Sequence, residues 1–564
     1  MRSAHRRTAA GMAGAAALIA AITLLSRAIG FGRWMAQSYG VGASATGTAY
    51  ATANQLPNVL FEVVAGGALA GAVVPLLAAP LARGLRADVD KIASALLTWA
   101  VALLVPTAVL LTVLARPIVG LLYQPPPAVD PVVASQTVDL AVSLVGVFAP
   151  QVVLYGIGVV LTGVLQAHRR FGWPAAAPLA SSAVVIISYL AFRHLAVGST
   201  RAYPGELPSA AVAWLGWGTT AGVAAMSLPL IIPVLRSGVQ LRLSFRFPPG
   251  VGSRARNLAF AGLGGLVAQQ VAVLVTVKLA NDNGGSGAIN LFQYSQAVYV
   301  LPYAVLAVPL ATAAFPRLAE HAAAGDRERY AHLVSVSTRA VLAVSLLGAA
   351  VLVAVAPAIA AFFATIDASR DPSLVAQMGP TLTILAPGLL GYSLVFQLSR
   401  VLFALERGRA AVSAVATGWF AVAVASVVGV RLAAPSSGDL AGTLRGLAAG
   451  NSIGMLVAGA VLLVAVRRAA GPDALGGIVR TMSVGLLGAV GAAGAGLWAE
   501  HRLQGAWGAG AASSAAVGLL AALVAVLVMG AVLLTGDRPL ARAVRRRGHS
   551  VNGRPLQEDE AARD

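Results

Sequence analysis

The segment NQLPNVLFEVVAGGALAGAVVPLLA, residues 54–78, places three polar side chains inside an apolar run. Asn54, Asn58 and Glu62 recur every four residues, so they lie along one stripe of a helix. An ionised group at the centre of a membrane helix costs on the order of 2.5 to 3.5 kcal/mol even on permissive insertion scales, and such groups usually serve a function. The segment therefore predicts a membrane helix that lines a polar transport pathway.

The composition of the whole chain predicts its fold class. Of the 564 residues, 58% are hydrophobic and 11% are charged, and the mean hydropathy is +0.80. A hydrocarbon core roughly 30 Å thick needs about 20 mostly apolar residues per helix, and a helix satisfies its own backbone hydrogen bonds there. The sequence predicts an all-α integral membrane protein with about 14 transmembrane helices.

The predicted spans follow the apolar runs. They lie near residues 11–35, 46–80, 92–115, 134–166, 173–196, 210–235, 256–280, 288–316, 333–358, 374–404, 409–433, 440–466, 476–499 and 510–535. If the basic N-terminus is cytoplasmic, most of the 40 Lys and Arg residues fall on that side, which predicts that both termini are cytoplasmic. A cleaved signal peptide over residues 1–25 is the alternative, and the polar continuation LSRAIGFGRWM disfavours it.

Charge and residue usage exclude several function classes. The net charge of +19 does not indicate nucleic-acid binding, because the basic residues are spread over short loops. The absence of cysteine excludes disulfides, thiolate metal sites and cysteine catalysis. No metal-ligand or nucleophile pattern occurs, so neither enzymatic activity nor a cofactor is expected. Acidic residues of the outer segments, among them Asp282, Asp367 and Asp371, are expected to be solvated loop charges.

An internal repeat predicts the domain organisation. One copy opens with Leu56-Pro57 and the other with Leu301-Pro302, and each continues through small residues to a further proline. An even number of helices per copy makes the repeat parallel, with a site between the halves. The sequence predicts two pseudo-symmetric six-helix lobes, two C-terminal helices and a basic cytoplasmic tail, over residues 1–240, 250–470, 475–536 and 537–564.

Polar residues cluster in the helices that such a repeat would bring together. Ser26, Gly30 and Arg33 share a face of the first predicted helix, and Arg27 or Arg33 could neutralise Glu62, with a purely structural ion pair as the alternative. Guanidinium groups form bidentate, charge-assisted hydrogen bonds to phosphate, and amides suit sugar hydroxyls. The candidate substrate-binding residues are Arg27, Arg33, Asn54, Asn58, Glu62, Gln269, Gln293 and Gln296.

Prolines and glycines in these helices are candidate hinges. A proline inside a helix removes a backbone hydrogen bond and kinks the helix. Small residues also permit close helix packing, so hinge and packing remain alternatives. The candidates are Gly30, Pro57, Gly66, Gly67 and Pro302.

Three segments near the N-terminus form a recognisable set: LSRAIGFGR (residues 25–33), LPN (56–58) and the glycine-rich run ending in VVP (73–75). They resemble the MurJ/MviN family of lipid II flippases, within the multidrug/oligosaccharidyl-lipid/polysaccharide exporter superfamily. The resemblance implies two lobes around a cationic cavity, alternating access, and a groove in helices 13 and 14 for a polyprenyl tail. It also implies that Arg27 and Arg33 contact the lipid pyrophosphate.

Some positions depart from the family pattern. Trp34 and Gly47 stand where acidic residues are often found. Glu62 replaces an arginine of better-known members, and the region of the eighth-helix arginine reads Gln296-Ala297. The cavity is therefore expected to be less cationic than the family pattern.

The resemblance implies that the chain flips the undecaprenyl-pyrophosphate-linked peptidoglycan precursor lipid II from the cytoplasmic to the outer leaflet of a bacterial plasma membrane. Lipid II and membrane lipids are the expected partners, and cell-wall synthesis proteins are candidate partners. No nucleic acid is expected to bind, and the chain is expected to be a monomer. The energy source is either a coupling ion or the membrane potential, and the sequence does not distinguish them. An exporter of another polyprenyl-linked saccharide, a cation/drug antiporter and, as an enzyme, a membrane-embedded glycan polymerase are the alternatives.

Overall fold

The computed structural model describes residues 25–63, 70–198, 201–261, 263–508 and 510–537. These residues form α-helices with short 3₁₀ and π turns, and no β-strand occurs among them. The predicted all-α fold class is therefore confirmed.

The helices follow one another with short connections. The first ten are α1 (residues 25–40), α2 (Ala45–Leu60), α3 (Ala70–Ala82), α4 (Arg86–Val113), α5 (Ala115–Leu122), α6 (Pro131–Ala167), α7 (Gly172–Leu195), α8 (Ser209–Ser227), α9 (Ile231–Leu235) and α10 (Val251–Ala261). The remaining helices are α11 (Leu263–Gly284), α12 (Ala288–Pro302), α13 (Val308–Ala323), α14 (Arg327–Ile366), α15 (Pro372–Ala376), α16 (Met378–Leu385), α17 (Gly388–Ala404), α18 (Gly408–Ala433), α19 (Leu440–Ala470), α20 (Ile478–Trp507) and α21 (Ala511–Gly536).

The number of membrane spans can be compared with the prediction for most of the chain. Among the described residues, 11 helices are long and apolar enough to cross a membrane, and a pair bent by 53° raises the total to 12 if it forms one span. The predicted spans near 11–35 and 46–80 include residues outside the described ranges. The candidate hinge residues Gly66 and Gly67 also lie outside these ranges. The total of about 14 therefore stays a prediction.

The chain divides into two compact units. Unit 1 comprises Met1–Val298, Phe363–Thr381 and Val422–Gly450, and unit 2 comprises Tyr299–Phe362, Leu382–Ala421 and Asn451–Asp564. The two lobes predicted over residues 1–240 and 250–470 are defined by the repeat in the sequence and not by contacts. The two units do not test them, so their bounds stay a prediction.

Helix α6 is the long central helix of unit 1. It begins where the Asp130 carboxylate accepts a hydrogen bond from the Val132 N–H at 2.7 Å, and Pro131 occupies the first helical turn, where its missing N–H costs nothing. Fully buried Phe148 packs in one core cluster, and fully buried Val164 packs in another. Because lipid tails are as apolar as these side chains, close packing rather than escape from water holds the helices together.

In unit 2, a buried ionic network joins α14 to α20 and to the end of α21. An Arg339 guanidinium nitrogen lies 2.7 Å from a carboxylate oxygen of Asp537, which is fully buried. The Arg339 Nε donates to the Thr481 hydroxyl at 2.8 Å, and that hydroxyl donates to the other Asp537 oxygen at 2.5 Å. Buried charges are tolerated when they are paired and hydrogen-bonded in this way.

The last two helices pack closely on each other. A Cβ atom at Gly488 in α20 would lie 2.9 Å from the Met529 sulfur of α21, and one at Gly536 would lie 2.6 Å from Val484. Small residues at such seams let two helix backbones approach each other.

Candidate substrate-binding site

Helix α1 carries both predicted arginines on different faces. Arg27 and Arg33 are six positions apart, so the two side chains leave the helix about 120° apart. Arg27 is exposed, whereas Arg33 is half-buried with its guanidinium carbon 5.7 Å from the centre of the Trp34 ring. Neither arginine has an ion-pair partner among the residues that the structure describes. Both are therefore available to an anionic ligand.

The predicted polar stripe of α2 is half-buried along its length. Asn58 accepts a hydrogen bond from the Tyr155 hydroxyl of α6 at 3.0 Å. After Pro57 and the end of α2, residues 61–63 form a π turn, in which the Phe61 ring lies 4.4 Å from that of Tyr155. Asn54 and Glu62 form no hydrogen bond with any described residue, so their polar groups are available within the helix bundle.

Tyr155 of α6 interacts with polar residues of α1 and α2. The Arg33 guanidinium and the Glu62 carboxylate both lie within electrostatic reach of its hydroxyl group. Across the described ranges, however, no Lys or Arg nitrogen lies within 4.0 Å of the Glu62 carboxylate, so the suggested ion pair with Arg27 or Arg33 is not formed. Tyr155 is not among the predicted residues, because its only signal in the sequence is its own hydroxyl within an apolar stretch of α6.

The predicted amides are brought only partly to this site. Gln293 of α12 donates a hydrogen bond to the side-chain oxygen of Gln55, next to Asn54 on α2, at 3.4 Å. Gln269 and Gln296 are half-buried and have no hydrogen-bond partner in the part of the chain that the structure describes. The structure thus links Gln293 to α2 and leaves Gln269 and Gln296 without a bond to it.

A buried carboxylate fixes the connection between α1 and α2. Asp367 accepts hydrogen bonds from the Ser38 hydroxyl at 2.5 Å and from the backbone N–H groups of Ala43 and Ser369 at 3.1 and 2.9 Å. Asp367 is only 5% exposed, so the expectation of a solvated loop charge is wrong at this position. Ser38, Ala43, Asp367 and Ser369, called the Asp367 clasp below, hold residues 367–369 against the α1–α2 connection.

Close backbone contacts surround the clasp. Gly42 has φ +76°, and a Cβ atom there would lie 2.7 Å from the Ser369 nitrogen, so both the conformation and the space require glycine. Nearby, Arg201 donates to the Gly40 carbonyl at 3.0 Å. Burial, and then the charges of neighbouring arginines, lowers the pKa of the Arg201 guanidinium below its ordinary value. The clasp is therefore a closely packed junction.

The other two acidic residues also have defined partners. Asp282 pairs with Lys278 at 2.7 Å and accepts a hydrogen bond from the Gln124 N–H. Asp371 accepts hydrogen bonds from the Ser373 hydroxyl and from the N–H groups that begin α15; these bonds, led by the one from Ser373, lower the pKa of its carboxyl group. Asp282 thus forms its ion pair in the last turn of α11, and Asp371 caps the start of α15.

Unit 2 contains a cation that the candidate residues did not include. The Arg400 guanidinium of α17 lies 3.5 Å from the centre of the Phe396 ring and donates to the Phe396 carbonyl at 3.2 Å. The Tyr303 ring packs edge-on against Phe396 and Tyr392, at 5.5 and 4.6 Å between ring centres. Arg400 is half-buried in an aromatic cluster of α17.

Long apolar helices that enclose arginines, amides and a carboxylate define a multi-pass membrane transporter. The sequence profile of the family Lipid II flippase MurJ matches residues 37–518. The chain belongs to this family.

Similar proteins agree with this assignment. The chain is 27% identical over 402 residues to a probable lipid II flippase MurJ of Rhizobium meliloti (strain 1021), covering 70% of each chain. A solved structure of lipid II flippase MurJ in an inward closed conformation aligns with TM-score 0.70 and 18% identity, covering 93% of this chain and 99% of the other. An inward-facing multidrug resistance MATE family transporter aligns with TM-score 0.61 and 14% identity, covering 80% and 98%. At these identities, the two structural matches show the fold alone.

Proposed function

We propose that this chain flips lipid II from the cytoplasmic to the outer leaflet of a bacterial plasma membrane by alternating access. Membership of the lipid II flippase family over residues 37–518 is the observation that carries this proposal. The distribution of Lys and Arg supports placing both termini in the cytoplasm. The membrane potential is the proposed energy source, since moving one charge across 100 mV is worth about 2.3 kcal/mol.

The headgroup would bind at the cluster formed by Arg33, Asn58, Glu62 and Tyr155. A hydrogen bond to a charged group contributes about 1.5 to 3 kcal/mol, and a guanidinium can bind two phosphate oxygens at once. Arg33 is half-buried without an acidic partner among the described residues, so pyrophosphate does not have to displace an existing ion pair. Exposed Arg27 would meet the ligand earlier, on another face of α1.

Glu62 would act in the return step. While the anionic headgroup is bound to Arg33, a nearby carboxylate repels it and favours its release. After release, a movement that brings Glu62 to Arg33 would neutralise both charges; in the structure the two groups do not form an ion pair. Removing the carboxylate charge should therefore keep binding and slow turnover.

The Asp367 clasp would close one end of the pathway. In the proposed topology the N-terminus is cytoplasmic and the first predicted span ends near residue 35, so Ser38 and Ala43 would lie near the outer surface. Alternating access requires such a junction to break when the headgroup leaves. The chain has no cysteine, so a double variant with Ser38→Cys and Asp367→Cys contains one cysteine pair. Oxidation would lock the junction through a disulfide, and reduction would release it.

The C-terminal helices would hold the polyprenyl tail in lipid. The outward sides of α20 and α21 carry exposed apolar residues, among them Leu487 at 76% and Leu519 at 73% exposure. A long isoprenoid chain matches such a surface, because it needs no polar partner.

Outer-leaflet accessibility of lipid II in depleted bacterial cells tests the function. Cells that lack other flippases are rescued with the parent chain, Arg33→Ala, Arg27→Ala, Glu62→Gln or Arg116→Ala. Arg116 forms an exposed ion pair with Asp139 and serves as the matched control. We expect the parent chain and Arg116→Ala to restore exposure, Arg33→Ala to lose tenfold or more, and Glu62→Gln to slow turnover.

The oxidised cysteine pair should block exposure, and its reduction should restore it. Unchanged lipid II exposure after depletion would reject lipid II as the cargo. Equal losses for Arg33→Ala and Arg116→Ala would reject only the assignment of the site.

The shared fold with a MATE transporter keeps a cation or drug antiporter as the second candidate. Drug efflux measured in the same cells discriminates the two. A change in efflux that follows expression of the chain, without any change in lipid II exposure, would favour the antiporter.

A further inference from the structure

The segment between α9 and α10 has a regular alternation that the transport proposal does not use. Residues 239–247, VQLRLSFRF, are called the linker ribbon below. Apolar and polar side chains alternate along it, a pattern typical of extended backbone with two different faces. The ribbon has no helical residue and belongs to unit 1.

Side chains of α4 hold one backbone edge of the ribbon. The N–H groups of Gln240, Arg242 and Ser244 donate to Asp90, Ser94 and Thr98 at 2.9, 3.0 and 3.1 Å. These three acceptors follow one another every four residues, so they lie on one face of α4. The ribbon is therefore an ordered element that runs along α4.

The opposite backbone edge has unused donors. Alternate N–H groups of an extended chain point to opposite sides, so those of Leu241, Leu243 and Phe245 point away from α4. None of the three has a hydrogen-bond acceptor within the described ranges. Backbone N–H groups on such an open edge can donate to water or, at a membrane surface, to phosphate oxygens.

The two faces of the ribbon suit a membrane interface. Leu243 is 87% exposed, and exposed Phe245 packs edge-on against Trp99, whose indole N–H donates to the Phe245 carbonyl at 3.1 Å. Tryptophan is enriched at the level of lipid headgroups, which suits Trp99. On the other face, Arg242 and Arg246 are exposed and have no acidic partner among the described residues.

We propose that the linker ribbon is a binding site for the phosphate groups of acidic phospholipids. Two guanidinium groups and a row of N–H donors would bind phosphate oxygens, while Leu243 and Phe245 insert among the acyl chains. In the proposed topology this leaflet is the cytoplasmic one, where polybasic segments are attracted to anionic lipid. The proposal concerns bulk lipid and holds whether or not lipid II is the cargo.

A single label tests the proposal in the full-length chain. Because the chain has no cysteine, Leu243→Cys gives one attachment site for a fluorophore. The labelled chain is placed in phosphatidylcholine vesicles with a fixed fraction of phosphatidylglycerol, and either lipid carries an acyl-chain spin label as quencher. The variants are Arg242→Gln with Arg246→Gln, and the control Arg254→Gln with Arg256→Gln, which removes the same charge from exposed positions of α10.

We expect phosphatidylglycerol to quench more strongly than phosphatidylcholine at equal amounts. The ribbon variant should lose roughly tenfold in the relative association constant for phosphatidylglycerol, and the α10 control should keep it. Equal quenching by both lipids, or equal losses in both variants, would overturn the proposal. Displacement of phosphatidylglycerol by inorganic phosphate would make the ribbon a site for the free anion and would likewise overturn it.

Discussion

The two copies of the internal repeat share a backbone distortion and differ in the side chains around it. In the first copy, a π turn over residues 61–63 follows Pro57; in the second, the π turn Tyr303–Ala307 directly follows Pro302. A proline removes a helical hydrogen bond, and π turns are common where helices serve a function. The repeat therefore reproduces the same kind of distortion in both units.

The surroundings of the two π turns are chemically different. Around the first lie Asn58, Glu62 and the Tyr155 hydroxyl, whereas Tyr303 of the second lies among aromatic rings. In unit 2, Gly348 also packs directly against Pro302. The first copy is therefore suited to bind a polar ligand, whereas the second is suited to hold a bent helix by packing.

Removing each proline tests whether both distortions have the same cause. In a helix interior, proline is about 3 kcal/mol less favourable than alanine, so Pro57→Ala and Pro302→Ala should regularise their helices and raise the thermal midpoint. We expect lipid II exposure to fall several-fold in each variant. Full activity of Pro302→Ala beside an inactive Pro57→Ala would break the equivalence of the two turns.

A methyl group at Gly348 tests the packing of the second turn. The new Cβ atom would lie 2.7 Å from that of Pro302, so a shift is required. Overpacking of this kind costs about 1 to 3 kcal/mol and should lower the thermal midpoint of Gly348→Ala. Gly491→Ala is the control, because nothing lies within 4 Å of its Cβ position, and it should be neutral or stabilising.

The polar contact of the first turn should be smaller in its effect on stability. Asn58→Leu leaves the Tyr155 hydroxyl without its acceptor, which costs about 1 to 2 kcal/mol. Tyr155→Phe combined with Asn58→Leu should cost less than the sum of the two single changes. Thermal unfolding of the four chains measures this coupling, and additive losses would show that the hydrogen bond does not stabilise the turn.

The smallest expected effect concerns the cation of the second turn. Arg400→Gln loses the interaction with the Phe396 ring, which is worth about 0.5 to 1 kcal/mol. We expect a small decrease in thermal midpoint and a loss of lipid II exposure well below that of Arg33→Ala. A loss as large as that of Arg33→Ala would place headgroup binding at Arg400 too and remove the contrast between the two turns.

The fold class was predictable because a run of about 20 apolar residues identifies a membrane helix without reference to the rest of the chain. The stripe of Asn54, Asn58 and Glu62 was likewise visible, because helical spacing fixes which residues share a face. Tyr155 and Asp367 were not visible, because their importance depends on contacts with residues distant in the chain. Asp367 lies more than 320 residues from its partner Ser38, and no local pattern distinguishes a buried carboxylate in a connection from a solvated one.

The ion pair between Arg339 and Asp537 constrains how the chain can evolve. Losing one partner leaves the other as an uncompensated buried charge, at a cost of about 3 to 5 kcal/mol, whereas replacing both by apolar residues is often neutral. Selection should therefore remove single substitutions at either position and tolerate substitutions of both. Positions 339 and 537, which are 198 residues apart, are expected to covary among related chains.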